Sequence, residues 1–302
     1  MQTVKKPDFI SIGPTKTGTT WLYEMLRRHP QVWLPPLKEL RFFNEGNIVP
    51  TYSLQNVLFN RHWHYAKMRQ RLLQNIKSMT SRKRIAYKKY AEPWWFYRYC
   101  FGRRSFEWYS GLFLPDENRL TGDISPTYYE VPEHRIREAS NFNRKLKILI
   151  FIRNPVERVW SLALMALCQD KGRSFADVTS AEFIKFFDHV FKNSRSYLES
   201  IKLWSTYFPD VFVGYYDALQ EDPSQFFQDI CEFLGIKGDM VSSSVLCQQV
   251  NRGMNVPIPL DFAKYLYTQY QDEMLLLAQG YESRYPRIWF ENRYQKQGDK
   301  LK

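Results

Sequence analysis

Close to the N-terminus the chain reads Gly13-Pro14-Thr15-Lys16-Thr17-Gly18-Thr19-Thr20-Trp21, and this stretch decides how the rest is understood. Ahead of it lies a short apolar run, Phe9-Ile10-Ser11-Ile12, with the character of a buried strand. Behind it, Trp21, Leu22, Met25 and Leu26 are spaced to lay an apolar stripe along one side of a helix. A strand, a glycine-bounded turn and a helix start together aim backbone N–H groups and a positive dipole end at an anion, phosphate above all. Gly13 and Gly18 have the spacing of the nucleotide-triphosphate loop G-x-x-x-x-G-K-[ST], but Thr19 stands where that loop carries its lysine. The lysine within the turn is Lys16, which approaches an anion from the loop side. That displacement argues against an ordinary kinase or GTPase, although a glycine turn alone can also be plain structure.

Working outward, the clearest strand is Leu146-Lys147-Ile148-Leu149-Ile150-Phe151-Ile152, a continuous apolar run suited to the centre of a parallel sheet. It ends at Arg153, and Asn154-Pro155 opens a helix with proline in its first turn. Ser161 lies roughly 9 Å of helix rise beyond Pro155, at about 1.5 Å per residue. A long Arg153 side chain and the Ser161 hydroxyl can therefore flank one phosphate. A lone arginine at a strand end is more often a surface ion-pairing residue. Strands alternating with helices predict a doubly wound parallel sheet with its ligand at the carboxyl ends of the strands.

These segments together resemble the sulfotransferases that use 3′-phosphoadenosine 5′-phosphosulfate (PAPS), in particular the heparan-sulfate-type branch and its bacterial relatives. K-T-G-T-T-W after a short strand resembles the family's 5′-phosphosulfate loop. Arg153 to Ser161 match its R-N-P-x-x-R-x-x-S pattern, which grips the 3′-phosphate. Lys38-Glu39-Leu40-Arg41-Phe42-Phe43 matches K-E-x-x-F-F, whose glutamate is the general base. Gly122-Asp123-Ile124-Ser125-Pro126-Thr127-Tyr128 resembles G-E-K-S/T-P-x-Y, with Ile124 where relatives often carry lysine. The resemblance implies an α/β, P-loop-like doubly wound parallel sheet flanked by helices. It implies that Lys16, Thr17, Gly18, Thr19 and Thr20 cradle the donor, that Arg153 and Ser161 hold its 3′-phosphate, and that Arg252 in Asn251-Arg252-Gly253 closes over the nucleotide. Lys16 and Glu39 are the implied catalytic pair: the ammonium meets charge on the departing oxygen, and the carboxylate removes the acceptor's proton. PAPS would be the donor co-substrate and 3′,5′-ADP the product, with no metal required.

Composition sets the remaining bounds. The 302 residues carry a net charge of +12, with 17% aromatic and 25% charged residues, which favours anionic ligands without choosing among them. A single domain over residues 1–302 is expected, with a basic aromatic helical insert at about residues 44–120. There, Tyr87 to Tyr109 interleave cations and rings, either as a cap for an acidic acceptor or as a helical subdomain that simply packs. An acidic glycan or a small hydroxylated metabolite is the expected acceptor; nucleic acid is not expected. Cys100, Cys168, Cys231 and Cys247 show no C-x-x-C spacing. No run approaches the roughly 18 apolar residues that span a bilayer. With residues 1–8 too short and polar for a leader, a cytoplasmic protein is expected. His29, His62, His64, His134 and His189 are structural or surface candidates, with His62 and His64 the reserve bases. Two other classes remain open at this stage, a P-loop small-molecule kinase and a non-catalytic polyanion binder.

Overall fold

A computed structural model describes residues 5–44, 95, 97–99, 102–113, 119–192, 194–250 and 253–291. Most of the insert expected at residues 44–120, together with His62, His64, Cys100, Arg252 and the tail from residue 292, lies outside the described residues.

Five parallel strands form the sheet: β1 (Phe9–Gly13), β2 (Val32–Trp33), β3 (Leu120–Ile124), β4 (Lys147–Ile152) and β5 (Val211–Tyr215), in the order β2-β3-β1-β4-β5. The middle strand is β1, so the apolar run of β4 lies one place from the centre, between β1 and β5. Alternation along the strands decides which layer each residue joins. Ile10, Ile12, Ile148, Ile150 and Ile152 enter one core, while Phe9, Leu149 and Phe151 enter the other. Both faces are therefore apolar, as a sheet covered by helices on both sides requires.

Among the described residues the helices include α1 (Thr19–Arg28), α2 (Phe106–Ser110), α3 (Glu133–Phe142), α4 (Pro155–Leu167), α5 (Ser180–Val190), α6 (Tyr197–Tyr207), α7 (Tyr216–Glu221), α8 (Pro223–Leu234), α9 (Ser243–Leu246), α10 (Leu260–Gly280) and α11 (Arg284–Glu291). Trp21, Leu22, Met25 and Leu26 of α1 pack with Phe226, Phe227 and Ile230 of α8 over one face. Ile136 of α3 and Ile201 and Trp204 of α6 cover the other. A third core joins α4, α5 and Leu266 of α10. Helix ends follow from local chemistry. The Asn154 side chain accepts from Val156 N–H at 3.0 Å to start α4, and Gly235 at φ 79° ends α8.

Several of the described rings of the basic aromatic region pack inward, while Tyr97 and Phe106 are exposed. Trp95 stacks on Tyr99 at 5.1 Å, and Phe42 stacks on Tyr109 at 4.4 Å, all four buried. For these residues the packing role holds; the rest of the insert is outside the described residues. No helix among the described residues is long and apolar enough to cross a membrane.

Candidate active site

Loops leaving the carboxyl ends of the adjacent strands β1 and β4 bring residue 16 beside residue 153, which is the crevice position expected of an open parallel sheet. The first loop is closed on itself. Thr17 Oγ1 donates to Pro14 O at 2.7 Å from a fully buried position, so its hydroxyl proton is spent on the loop and its backbone is what it can offer a ligand. Gly13 and Gly18 sit at φ 87° and 93°. A Cβ on Gly13 would lie 2.5 Å from Pro126 Cα, so only glycine lets the loop settle against the segment after β3. Lys16 itself adopts φ 70°, in the left-handed region that costs an ordinary residue about 1–2 kcal/mol.

The Lys16 ammonium lies 4.0 Å from Met165 Sδ of α4. Burial, and next the Arg153 guanidinium, pull its pKa below the ordinary lysine value, against a smaller opposing pull from Asp170. Arg153 stacks over the Tyr216 ring at 4.5 Å, donates to Glu157 Oε2 at 3.1 Å and reaches Lys16 O at 3.4 Å. The backbone oxygen of Arg153 accepts from the buried Tyr197 hydroxyl at 2.9 Å. Beneath it, Arg158, the middle arginine of the nine-residue pattern, is buried among the rings of Phe191, Tyr197 and Tyr129.

Between these groups opens a cavity of about 630 Å³, within the usual range for small-molecule sites. Lys16, Gly18, Thr19, Thr20, Arg153 and Ser161 border it, and Trp21, Leu219, Pro223 and Leu246 add an apolar wall. Gly253 and Met254 border it too, next to Arg252. This set suits a nucleotide: cations and a helix start for charged groups, apolar surface for a base.

Lys38 reaches into the loop. Its ammonium donates to Thr19 Oγ1 at 3.1 Å and Thr20 Oγ1 at 3.0 Å. An ammonium thus stands at the residue where the triphosphate loop would carry its own lysine, supplied from 19 positions further along. Glu39 does not border the cavity. Its carboxylate lies 3.7 Å from Lys38 Nζ and 2.5 Å from the Arg41 guanidinium, half-buried beside the cradle. Glu39 at φ 68° and Arg41 at φ 54° form a second left-handed turn.

The remaining candidates sort readily. His29 is buried, and its Nε2 lies 2.6 Å from Lys237 O, a structural contact. His134 and His189 are exposed on helices. Ile124 is buried in the core. Asp123, near the end of β3, is also buried and does not line the cavity; its oxygens accept from Ser125, Tyr128 and Tyr109 hydroxyls at 2.7, 2.7 and 3.0 Å.

The model of the sulfotransferase family matches residues 7–239. The chain belongs to the sulfotransferase family. It is accordingly a sulfotransferase enzyme with the family's P-loop-like fold. A sulfotransferase from Alicyclobacillus acidocaldarius superposes with a TM-score of 0.58 at 21% identity, covering 93% of this chain and 99% of its own. A mouse sulfotransferase crystallised with PAP aligns at 13% identity and a TM-score of 0.46, covering 95% of this chain and 90% of its own. A sulfotransferase domain from a Synechococcus olefin synthase aligns at 18% identity and a TM-score of 0.47, over 88% and 95%. No curated protein sequence matches this sulfotransferase.

Proposed function

We propose that this sulfotransferase moves a sulfuryl group from PAPS to a hydroxyl or amine of a polar acceptor, an acidic or neutral carbohydrate or a small hydroxylated metabolite. The observation that carries this reading is the single cavity bordered at once by the Lys16 loop and by Arg153 and Ser161. A donor charged at both ends needs both groups, and neither motif alone would ask for the other.

In this reading the N–H groups at the start of α1 and the hydroxyls of Thr19 and Thr20 receive the phosphosulfate. Arg153 leaves Glu157 and the loop to pair with the 3′-phosphate, joined by Ser161. The acceptor oxygen or nitrogen forms a bond to sulfur as the bond from sulfur to the bridging oxygen breaks. Its electron pair leaves on the phosphate, giving 3′,5′-ADP. Lys16 meets the charge developing on that oxygen, inside a site where burial strengthens the interaction. Glu39 takes the acceptor's proton, a role that requires its carboxylate to turn from Arg41 toward the substrate. Lys38 links the two halves, with its ammonium on the cradle threonines and its charge beside Glu39. Arg252, adjacent to the cavity-lining Gly253, would close over the bound nucleotide.

The test is incubation with labelled PAPS and a panel of glycans and hydroxylated metabolites, scoring labelled product and 3′,5′-ADP. Product formation in at least one acceptor lane is expected. Phosphate transfer from ATP with magnesium and no response to PAPS would overturn the reading. So would polyanion binding that survives Lys16→Ala with no product from any donor.

A further inference from the structure

Four consecutive backbone N–H groups, those of residues 39–42, are each tied to the end of β3 or the turn that follows it. Glu39 N–H donates to Ile124 O at 3.1 Å, and Leu40 N–H donates to Asp123. Arg41 N–H donates to Ser125 Oγ at 3.2 Å, and Phe42 N–H donates to Tyr128 Oη at 2.8 Å. Both of those hydroxyls spend their one proton on Asp123, at 2.7 Å each. This leaves their lone pairs free to accept from the turn. A third hydroxyl, that of Tyr109, completes the carboxylate's shell at 3.0 Å.

The carboxylate therefore sets the direction of every side-chain acceptor that holds Arg41 and Phe42. These bonds fix the turn in which Glu39 and Arg41 adopt φ 68° and 54°. Ordinary residues remain in that region only where surrounding bonds over-determine it. Burying an acidic side chain among hydroxyls is itself costly unless its bonds are complete.

We infer that Asp123 is a positioning residue for Glu39: through Ser125 and Tyr128 it locks the 39–42 turn so that the Glu39 carboxylate is presented beside the cradle. The inference rests on the reading of Glu39 as the base. Asp123→Asn keeps the shape but offers one acceptor oxygen where there were two. Where the NH₂ group replaces Oδ1 the Ser125 hydroxyl loses its acceptor, and where it replaces Oδ2 the Tyr109 and Tyr128 hydroxyls lose theirs, so in either orientation a hydroxyl that holds the turn must re-aim its proton. A displacement of about 1 Å at a reacting group can cost ~10²-fold in rate.

The experiment is a double-mutant cycle with Asp123→Asn and Glu39→Gln, using PAPS as donor and the glycan and metabolite panel as acceptors, alongside amide hydrogen exchange. Asp123→Asn is expected to lower kcat ~10- to 100-fold, with the affinity for 3′,5′-ADP within about twofold of wild type, because the loop's own bonds do not pass through Asp123. Amides 39–42 should exchange faster while amides 16–20 do not. In the Glu39→Gln background, Asp123→Asn should cost nothing further, because the group it positions is already gone. Tyr128→Phe keeps the ring's packing and removes only the hydroxyl, so the same cycle run with it judges the inference if Asp123→Asn does not fold. Equal losses in both backgrounds, or faster exchange spread evenly over both loops, would overturn the positioning role. A Glu39→Gln enzyme as active as wild type would instead remove the base assignment itself.

Discussion

The loop at residues 13–20 and the turn at residues 38–42 both hold non-glycine residues in the left-handed region, Lys16 at φ 70° and Glu39 at φ 68°, but they are held by different means. The loop supplies its own constraint: Gly13, Gly18 and the Thr17 hydroxyl on Pro14 O all lie within six residues. The turn is held from outside, by backbone and hydroxyl acceptors at residues 123–128, more than 80 positions away. The loop carries much of its constraint within itself, with Arg153, Lys38 and Pro126 added from outside. The turn that presents the proposed base is only as well placed as the strand end beneath it.

That contrast can be broken most sharply at Lys16. Lys16→Ala is expected to lower kcat/KM ~10⁴-fold, with ~10³-fold in kcat from the lost electrostatic stabilisation and the rest in donor binding. Steady-state kinetics with PAPS check the division. The same ammonium sets a pH limit. Because burial and Arg153 lower its pKa, it loses its proton as pH rises while an ordinary lysine would still be charged. Activity should therefore fall on the alkaline side below the usual lysine value of 10.5, and a Lys16→Arg enzyme should keep its residual activity to higher pH.

On the other side of the comparison, Glu39→Gln should lower kcat ~10²–10³-fold, within the range for a positioned base, and leave 3′,5′-ADP affinity unchanged by calorimetry. A loss of nucleotide affinity there would mean that the turn and the loop are one unit. Ser161→Ala removes one hydroxyl from the cavity wall and should raise the donor KM roughly 2- to 10-fold, the worth of one hydrogen bond. The smallest effect has the opposite sign. Glu157 holds Arg153 at 3.1 Å before any ligand arrives. Glu157→Gln should therefore tighten nucleotide binding by up to a few-fold, since a partly exposed pair contributes at most about 1 kcal/mol.

The same distinction governs what the sequence disclosed. The strand-loop-helix around Gly13 and the strand and helix start around Arg153-Asn154-Pro155 are contiguous patterns, and β1, α1, β4 and α4 appear where they are read. Helix α11, Arg284–Glu291, was not anticipated. It is short, and its place depends on a distant contact, Trp289 Nε1 donating to Asp217 Oδ1 at 3.1 Å. Lys38 showed no sign of reaching Thr19 and Thr20, because nothing in residues 35–43 specifies which way the chain turns after β2. The role of Asp123 is not legible in the sequence, because a carboxylate in a strand is ambiguous without its three hydroxyl partners on two other segments. Thr17 went the other way: one of three similar threonines in a row of four residues, it alone is buried completely and bonds inward.

The central claim is that one nucleotide is gripped by the loop after β1 and by the strand end after β4 together. Calorimetric titration of 3′,5′-ADP into the wild-type enzyme and into Arg153→Ala tests it most directly. One site per chain is expected in the wild type, with affinity ~10- to 100-fold weaker in Arg153→Ala, as the loss of a charged hydrogen-bonding pair implies. No binding to the wild type, or equal affinity in the two proteins, would contradict the account.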